Sequence, residues 1–183
     1  MEWHGLVFYD LIFSLFIFIM GVSVPFSIAK RKERGVPKGT IYKHVVVRTV
    51  LLVFIFGILF NNIGARSLEE LRIFGVLVRI GICYFAVSML CLWTAPKQQF
   101  LVLVLILVGY WLIMAFVPVP GFGLASYSPE GNLAGYIDRT LFGSTSFCCY
   151  EYGDNEGLLS TLPAIGTGIM GMLAGQALRA NRE

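Results

Sequence analysis

From Leu11 to Ala29 the chain carries no ionisable side chain. As a helix rising about 1.5 Å per residue, such a stretch crosses a hydrocarbon layer of about 30 Å. Extended to residues 6–29, it predicts a first membrane span with Pro25 near its end; four further apolar runs predict helices at 44–62, 73–93, 100–117 and 158–178. Lipid offers no partner to a backbone N–H or C=O, so each run is expected to be helical. With 57% hydrophobic residues, 14% charged and a mean hydropathy of +0.76, the chain has more apolar surface than a water-soluble domain can hide. The expected fold class is all-α: a single polytopic transmembrane helix bundle over residues 1–183, with about five spanning helices and one long outer loop.

The charges cluster between the runs. Lys30, Arg31, Lys32, Arg34, Lys38 and Lys43 fill the first loop, Lys97 the third, and Arg179 and Arg182 follow the fifth run. The second loop offers Arg66 and Arg72, and the long loop at 118–157 only Arg139, among Glu130, Asp138, Glu151, Asp154 and Glu156. The excess of cytoplasmic Lys and Arg in membrane proteins places the N-terminus outside and the C-terminus in the cytoplasm. The net charge of +3 therefore reports orientation and gives no reason to expect nucleic acid. Met1-Glu2-Trp3-His4 lacks the basic start of a cleavable signal peptide. Cys83 and Cys91 sit in apolar runs and Cys148-Cys149 in a polar loop, a spacing that suggests no metal site. No phosphate-binding glycine loop, dinucleotide fingerprint, Ser-His-Asp set or zinc motif is present.

Ionisable groups inside apolar runs carry the most information, because burying a charge in hydrocarbon is costly. Asp10 stands one turn into the first run and Arg79 well within the third. Each is a candidate substrate-binding residue, with a purely structural role in helix packing or snorkelling as the alternative. His44 lies at the end of its run, where an interfacial polar residue is expected. Gly171 and Gly175, with Gly168 before them, form the small-residue spacing that lets helices approach closely. Pro163 breaks the ladder of the last run, and Ser160 and Thr161 are expected to satisfy the freed carbonyls. The long loop is large enough to cover a site from the outer side.

Several motifs stand in a fixed order. Trp3, Gly5, Asp10-Leu11-Ile12-Phe13, Phe16, Phe18, Gly21 and Ser23 open the chain; Gly75-Val76-Leu77, Arg79 and Tyr84-Phe85 follow. Next come Pro118-Val119-Pro120-Gly121, Gly135-Tyr136-Ile137-Asp138-Arg139 with Leu141-Phe142-Gly143, and Glu156-Gly157-Leu158-Leu159-Ser160-Thr161-Leu162-Pro163. In this order and spacing the chain resembles the heparan-alpha-glucosaminide N-acetyltransferase-like family of transmembrane acyltransferases. Ser14 stands where that family usually has proline.

The resemblance implies acetyl transfer from cytoplasmic acetyl-CoA, as co-substrate, to an amine or hydroxyl of a sugar or glycan on the far side. The family's catalytic histidine lies three residues before the motif tryptophan. Trp3 is preceded here only by Met1 and Glu2, so that position falls before Met1 and His4 is not its equivalent. The chain is accordingly expected to be part of a longer acyltransferase, with missing helices or an oligomer completing the bundle. Asp10, Arg79, Asp138, Arg139 and Glu156 are the residues expected to bind substrate. The rival expectation is a non-catalytic membrane subunit or a transporter-like component.

Overall fold

The computed structural model describes residues 8–59, 62–63, 75–124, 128–142 and 156–181. Trp3, His4, Gly5, Arg66, Arg72, Cys148, Cys149, Glu151, Asp154 and Arg182 lie outside them. The helices, in chain order, are α1 (Phe8–Glu33), α2 (Lys38–Val50), α3 (Val76–Trp93), α4 (Pro96–Phe116), α5 (Leu133–Phe142) and α6 (Thr161–Ala180). α2 continues into wider, π-type winding over Leu51–Leu59, for which nothing in the sequence gives a reason.

Four rods, Leu11–Glu33, Lys38–Leu59, Val76–Trp93 and Pro96–Phe116, are long and apolar enough to cross a bilayer. Their outward faces carry bulky apolar side chains such as Phe16, Ile19, Phe100, Leu105, Trp111 and Phe116, all exposed on the bundle surface. Water would penalise that surface and lipid accepts it; the protein is an integral membrane protein. α6, the expected fifth span, has 20 residues but does not reach the apolarity of the other four. Gly166, Gly168, Gly171, Gly175 and Gln176 occupy positions where the others carry large hydrocarbon groups. Its surroundings supply the reason: α6 packs against α1, α3 and α4, and a helix surrounded by helices gains more from close approach than from lipid-compatible bulk.

α1 and α6 touch backbone to backbone. A Cβ on Gly171 would strike the Phe18 carbonyl, one on Gly21 the Gly168 carbonyl, and one on Gly175 would lie 2.5 Å from the Val22 oxygen. The small-residue spacing read in the last run is therefore a packing face. Contacts advance together along both chains, so α1 and α6 are parallel, with Ile17, Val87, Ile169 and Met172 fully buried beside the seam.

The basic ends are built by short turns. α1 stops in a glycine C-cap: Gly35, at φ +73°, donates to the Lys32 carbonyl at 3.0 Å, and Val36 to the Arg31 carbonyl at 3.1 Å. At the α3–α4 turn the buried Gln99 donates to the Leu90 and Thr94 carbonyls at 3.3 and 3.0 Å.

Within the loop at 118–157 the described residues form defined elements. It holds a tight turn, in which Val119 donates to the Gly123 carbonyl at 2.8 Å, and the whole of α5. Asn132 caps α5, its Oδ1 accepting the Gly135 N–H at 2.7 Å.

Candidate functional site

Arg79 lies one turn into α3 and only 8% of it is exposed. Its guanidinium packs over the Phe13 ring of α1, 5.4 Å from the centroid, and donates a hydrogen bond to Ser160 Oγ. A cation over an aromatic face with a hydroxyl acceptor is a partly compensated burial of charge. The same charge joins three helix starts: α1 through Phe13, α3 through its own backbone, and α6 through Ser160.

Ser160 passes the connection onward. Its hydroxyl donates to the Gly157 carbonyl at 3.0 Å, and Thr161 Oγ1 donates to the same oxygen at 2.9 Å. Both hydroxyls thus reach back to Gly157. The freed carbonyl expected from the sequence does not arise: Pro163 stands in the first turn of α6, where its N–H would have no intrahelical partner, and the Leu159 carbonyl accepts the Leu162 N–H at 3.2 Å.

Asp138, on α5, is 1% exposed, and its Oδ1 accepts the Leu158 N–H at 3.0 Å. A Cβ on Gly157 would lie 2.7 Å from that oxygen, so the carboxylate is seated where only glycine leaves room. The segment from Glu156 to Thr161 is a strap, held on its loop side by Asp138 and on its membrane side by Arg79.

The other expected residues distribute around this strap. Glu156 begins it, partly buried. Arg139 donates to the Glu130 carbonyl at 2.9 Å, tying α5 to its own approach segment. Asp10 falls in the first turn of α1, one turn before Phe13, and its side chain lies outside what is described.

Beneath the strap is a cavity of 190 Å³ lined by Phe13, Ser14, Arg79, Ser160, Pro163 and Thr167, among others. Its one described cation and three hydroxyls suit a small polar or anionic group; it is smaller than the roughly 300–1,000 Å³ of a drug-sized ligand site. No carboxylate, histidine or cysteine is among its described lining residues. Among the described residues no group of three His, Cys, Asp or Glu side chains could hold a metal ion.

A second cavity, of 270 Å³, opens at the opposite ends of α1 and α6, lined by Lys32, Cys91, Gln176 and Arg179 together with Pro25, Ile28, Ala29 and Ala180. Arg179 pairs with Glu33 at 2.8 Å, and Gln176 Oε1 is buried without a hydrogen-bond partner. In the sequence these basic residues read first as orientation signals, and the basic first loop, which includes Lys32, also as a surface able to attract CoA phosphates. The backbone contact at Gly21, Gly168, Gly171 and Gly175 closes the α1–α6 seam between the two cavities.

The strap gives a direct test. Asp138→Ala leaves the Leu158 N–H without its acceptor, at a cost of about 1–3 kcal/mol, whereas Asp138→Asn keeps an acceptor oxygen of the same shape. Limited proteolysis should cut the α5 region faster in Asp138→Ala and in Gly157→Ala than in Asp138→Asn, with the helix-bundle melt unchanged.

No family model matches the chain. Among curated proteins, human heparan-alpha-glucosaminide N-acetyltransferase is 33% identical over 224 aligned positions, which take in 97% of this chain and 34% of that protein. The mouse protein of the same name is 32% identical with the same coverage. The chain thus spans about one third of the length of the relatives it matches. The alignment is longer than the 183-residue chain, so within the matched region the relatives carry residues that this chain lacks.

Proposed function

Because the chain belongs to the heparan-alpha-glucosaminide N-acetyltransferase-like family, we propose that it forms part of the membrane core of an acetyltransferase, moving acetyl from cytoplasmic acetyl-CoA to an amino sugar or glycan outside. The observation that carries this reading is the buried Arg79, wired through Ser160 and the Gly157–Leu158 peptide to Asp138, with every member inside one of the motifs that run co-linear with the family.

The two ends of the α1–α6 pair suit two different substrates. At the basic end, Lys32 and Arg179 offer cations to the phosphates of acetyl-CoA, and Gln176 Oε1, an orphaned buried acceptor, suits an amide or amino N–H of the same molecule. At the strap end, Arg79 faces a cavity with room for a small group. With the family's histidine as transient acetyl carrier, the amine would attack the acetyl carbonyl and the histidine would leave, and a fixed guanidinium there would stabilise the negative charge that develops on the carbonyl oxygen. Asp10, one turn away, orients the acceptor or the base. Glu156 and Arg139 present the loop to sugar hydroxyls, and Asp138 holds the strap over the cavity. With basic residues inside, the strap and α5 lie outside the cell or in a lumen.

The test is transfer of labelled acetyl from acetyl-CoA to glucosamine in membranes that contain the longest in-frame product of this gene. Transfer that depends on Arg79 supports the proposal; membranes that bind neither substrate and transfer nothing favour a non-catalytic membrane component.

A further inference from the structure

A third cavity lies on the lipid-facing side of the bundle, away from both ends of the α1–α6 seam. It is a groove of 310 Å³ between the α2 rod and α3, lined by Arg48, Leu51, Leu52, Phe56 and Tyr84. Four of these five residues follow one another along one stripe of the rod, and Tyr84 closes the far wall from α3.

Arg48 sets the chemistry. It is exposed on the bundle surface, and among the described residues its side chain makes no hydrogen bond or ion pair. Val45, Val46 and Val47 precede it and an apolar run to Leu59 follows, so its Cα lies about one helical turn (5.4 Å) inside the apolar segment. From that depth an arginine extends its guanidinium to the level of lipid headgroups. Directly beside it the groove is walled by leucine and phenylalanine. A site that presents one unmatched cation at headgroup depth and an apolar trough running toward the membrane centre is complementary to a lipid with a net negative headgroup.

We propose that this groove holds an acidic phospholipid, its phosphate on Arg48 and an acyl chain along Leu51, Leu52 and Phe56. A zwitterionic lipid fits the trough equally well, but its ammonium group competes with Arg48 for the phosphate. The preference for the acidic headgroup therefore rests on this one arginine, and the affinity for the chain on the apolar wall.

The experiment uses the full 183-residue chain, stripped of native lipid in detergent and exchanged into equal amounts of phosphatidylglycerol and phosphatidylcholine with identical acyl chains. Retained lipid is counted by native mass spectrometry. The wild type should retain the acidic lipid over the zwitterionic one by about fivefold, the ratio that one basic residue near a membrane surface supplies. Arg48→Gln should bring the ratio to parity and Arg48→Lys should keep it. Leu52→Trp, which fills the trough, should reduce retention of both lipids. A wild type with no preference, a preference that survives Arg48→Gln and so belongs to the basic turn after α1, or unchanged retention in Leu52→Trp would each overturn the proposal.

Discussion

Arg79→Gln should lower acetyl transfer to glucosamine by about 100-fold or more, the usual cost of removing one preorganised charge from a developing oxyanion. Glutamine still donates a hydrogen bond to Ser160 Oγ, so the strap keeps a partner while the charge over Phe13 is lost. Arg79→Lys retains the charge on a flexible stem without the planar fork and should fall between the two. The readout is the initial rate at saturating acetyl-CoA, separated into kcat and KM for the acceptor, with the melting temperature of each variant alongside. A loss confined to KM would make Arg79 an acceptor-binding residue; activity equal to wild type in Arg79→Gln would remove it from the site.

Gly171→Ala should destabilise the bundle by about 3 kcal/mol or more, at the upper end of what overpacking costs. The added methyl has no space, because its position coincides with the Phe18 carbonyl on α1. Backbone cannot rotate aside as a side chain can, so α1 and α6 must separate along the seam that carries Ile17, Ile169 and Met172. Gly109→Ala is the control. It lies on α4 with nothing within 4 Å of its Cβ, and alanine there gains helix propensity. Unfolding in a denaturing detergent titration should show a large loss for the first variant and none for the second. A similar response from both would mean that α1 and α6 do not touch as described.

How far these features can be read from sequence follows from what enforces them. The four long spans were legible because lipid punishes any departure from a continuous apolar helix, and Arg79 because a lone cation among Val78, Ile80 and Ile82 is conspicuous. The acceptor of its hydrogen bond was not, since Ser160 lies 81 positions away and any of several hydroxyls would have served. The glycine spacing of α6 announced close packing, yet nothing in it named Phe18, Gly21 and Val22 as the opposite face. α5 was missed although Asn132 stands at its cap position; ten residues inside a Gly- and Pro-rich loop give too short a periodic signal to compete with the turn residues around them. The basic cavity was legible only in part: the first loop with Lys32 could be read as attracting CoA phosphates, though topology alone explains its charge, and only the three-dimensional meeting of α1 and α6 shows that Lys32 and Arg179 share a pocket with Gln176.

The opposition of two ends, a basic one and one covered by the strap, can be observed without any substrate. Single cysteines placed at Lys38 and at Glu130, in a background with the native cysteines replaced by alanine, are exposed to a membrane-impermeant maleimide on intact cells and again after permeabilisation. Cysteine at position 130 should react in intact cells, and cysteine at position 38 only once the membrane is opened. Reaction of both from the same side, or of position 38 alone in intact cells, would contradict a bundle that takes its donor at the basic end and its acceptor beneath the strap.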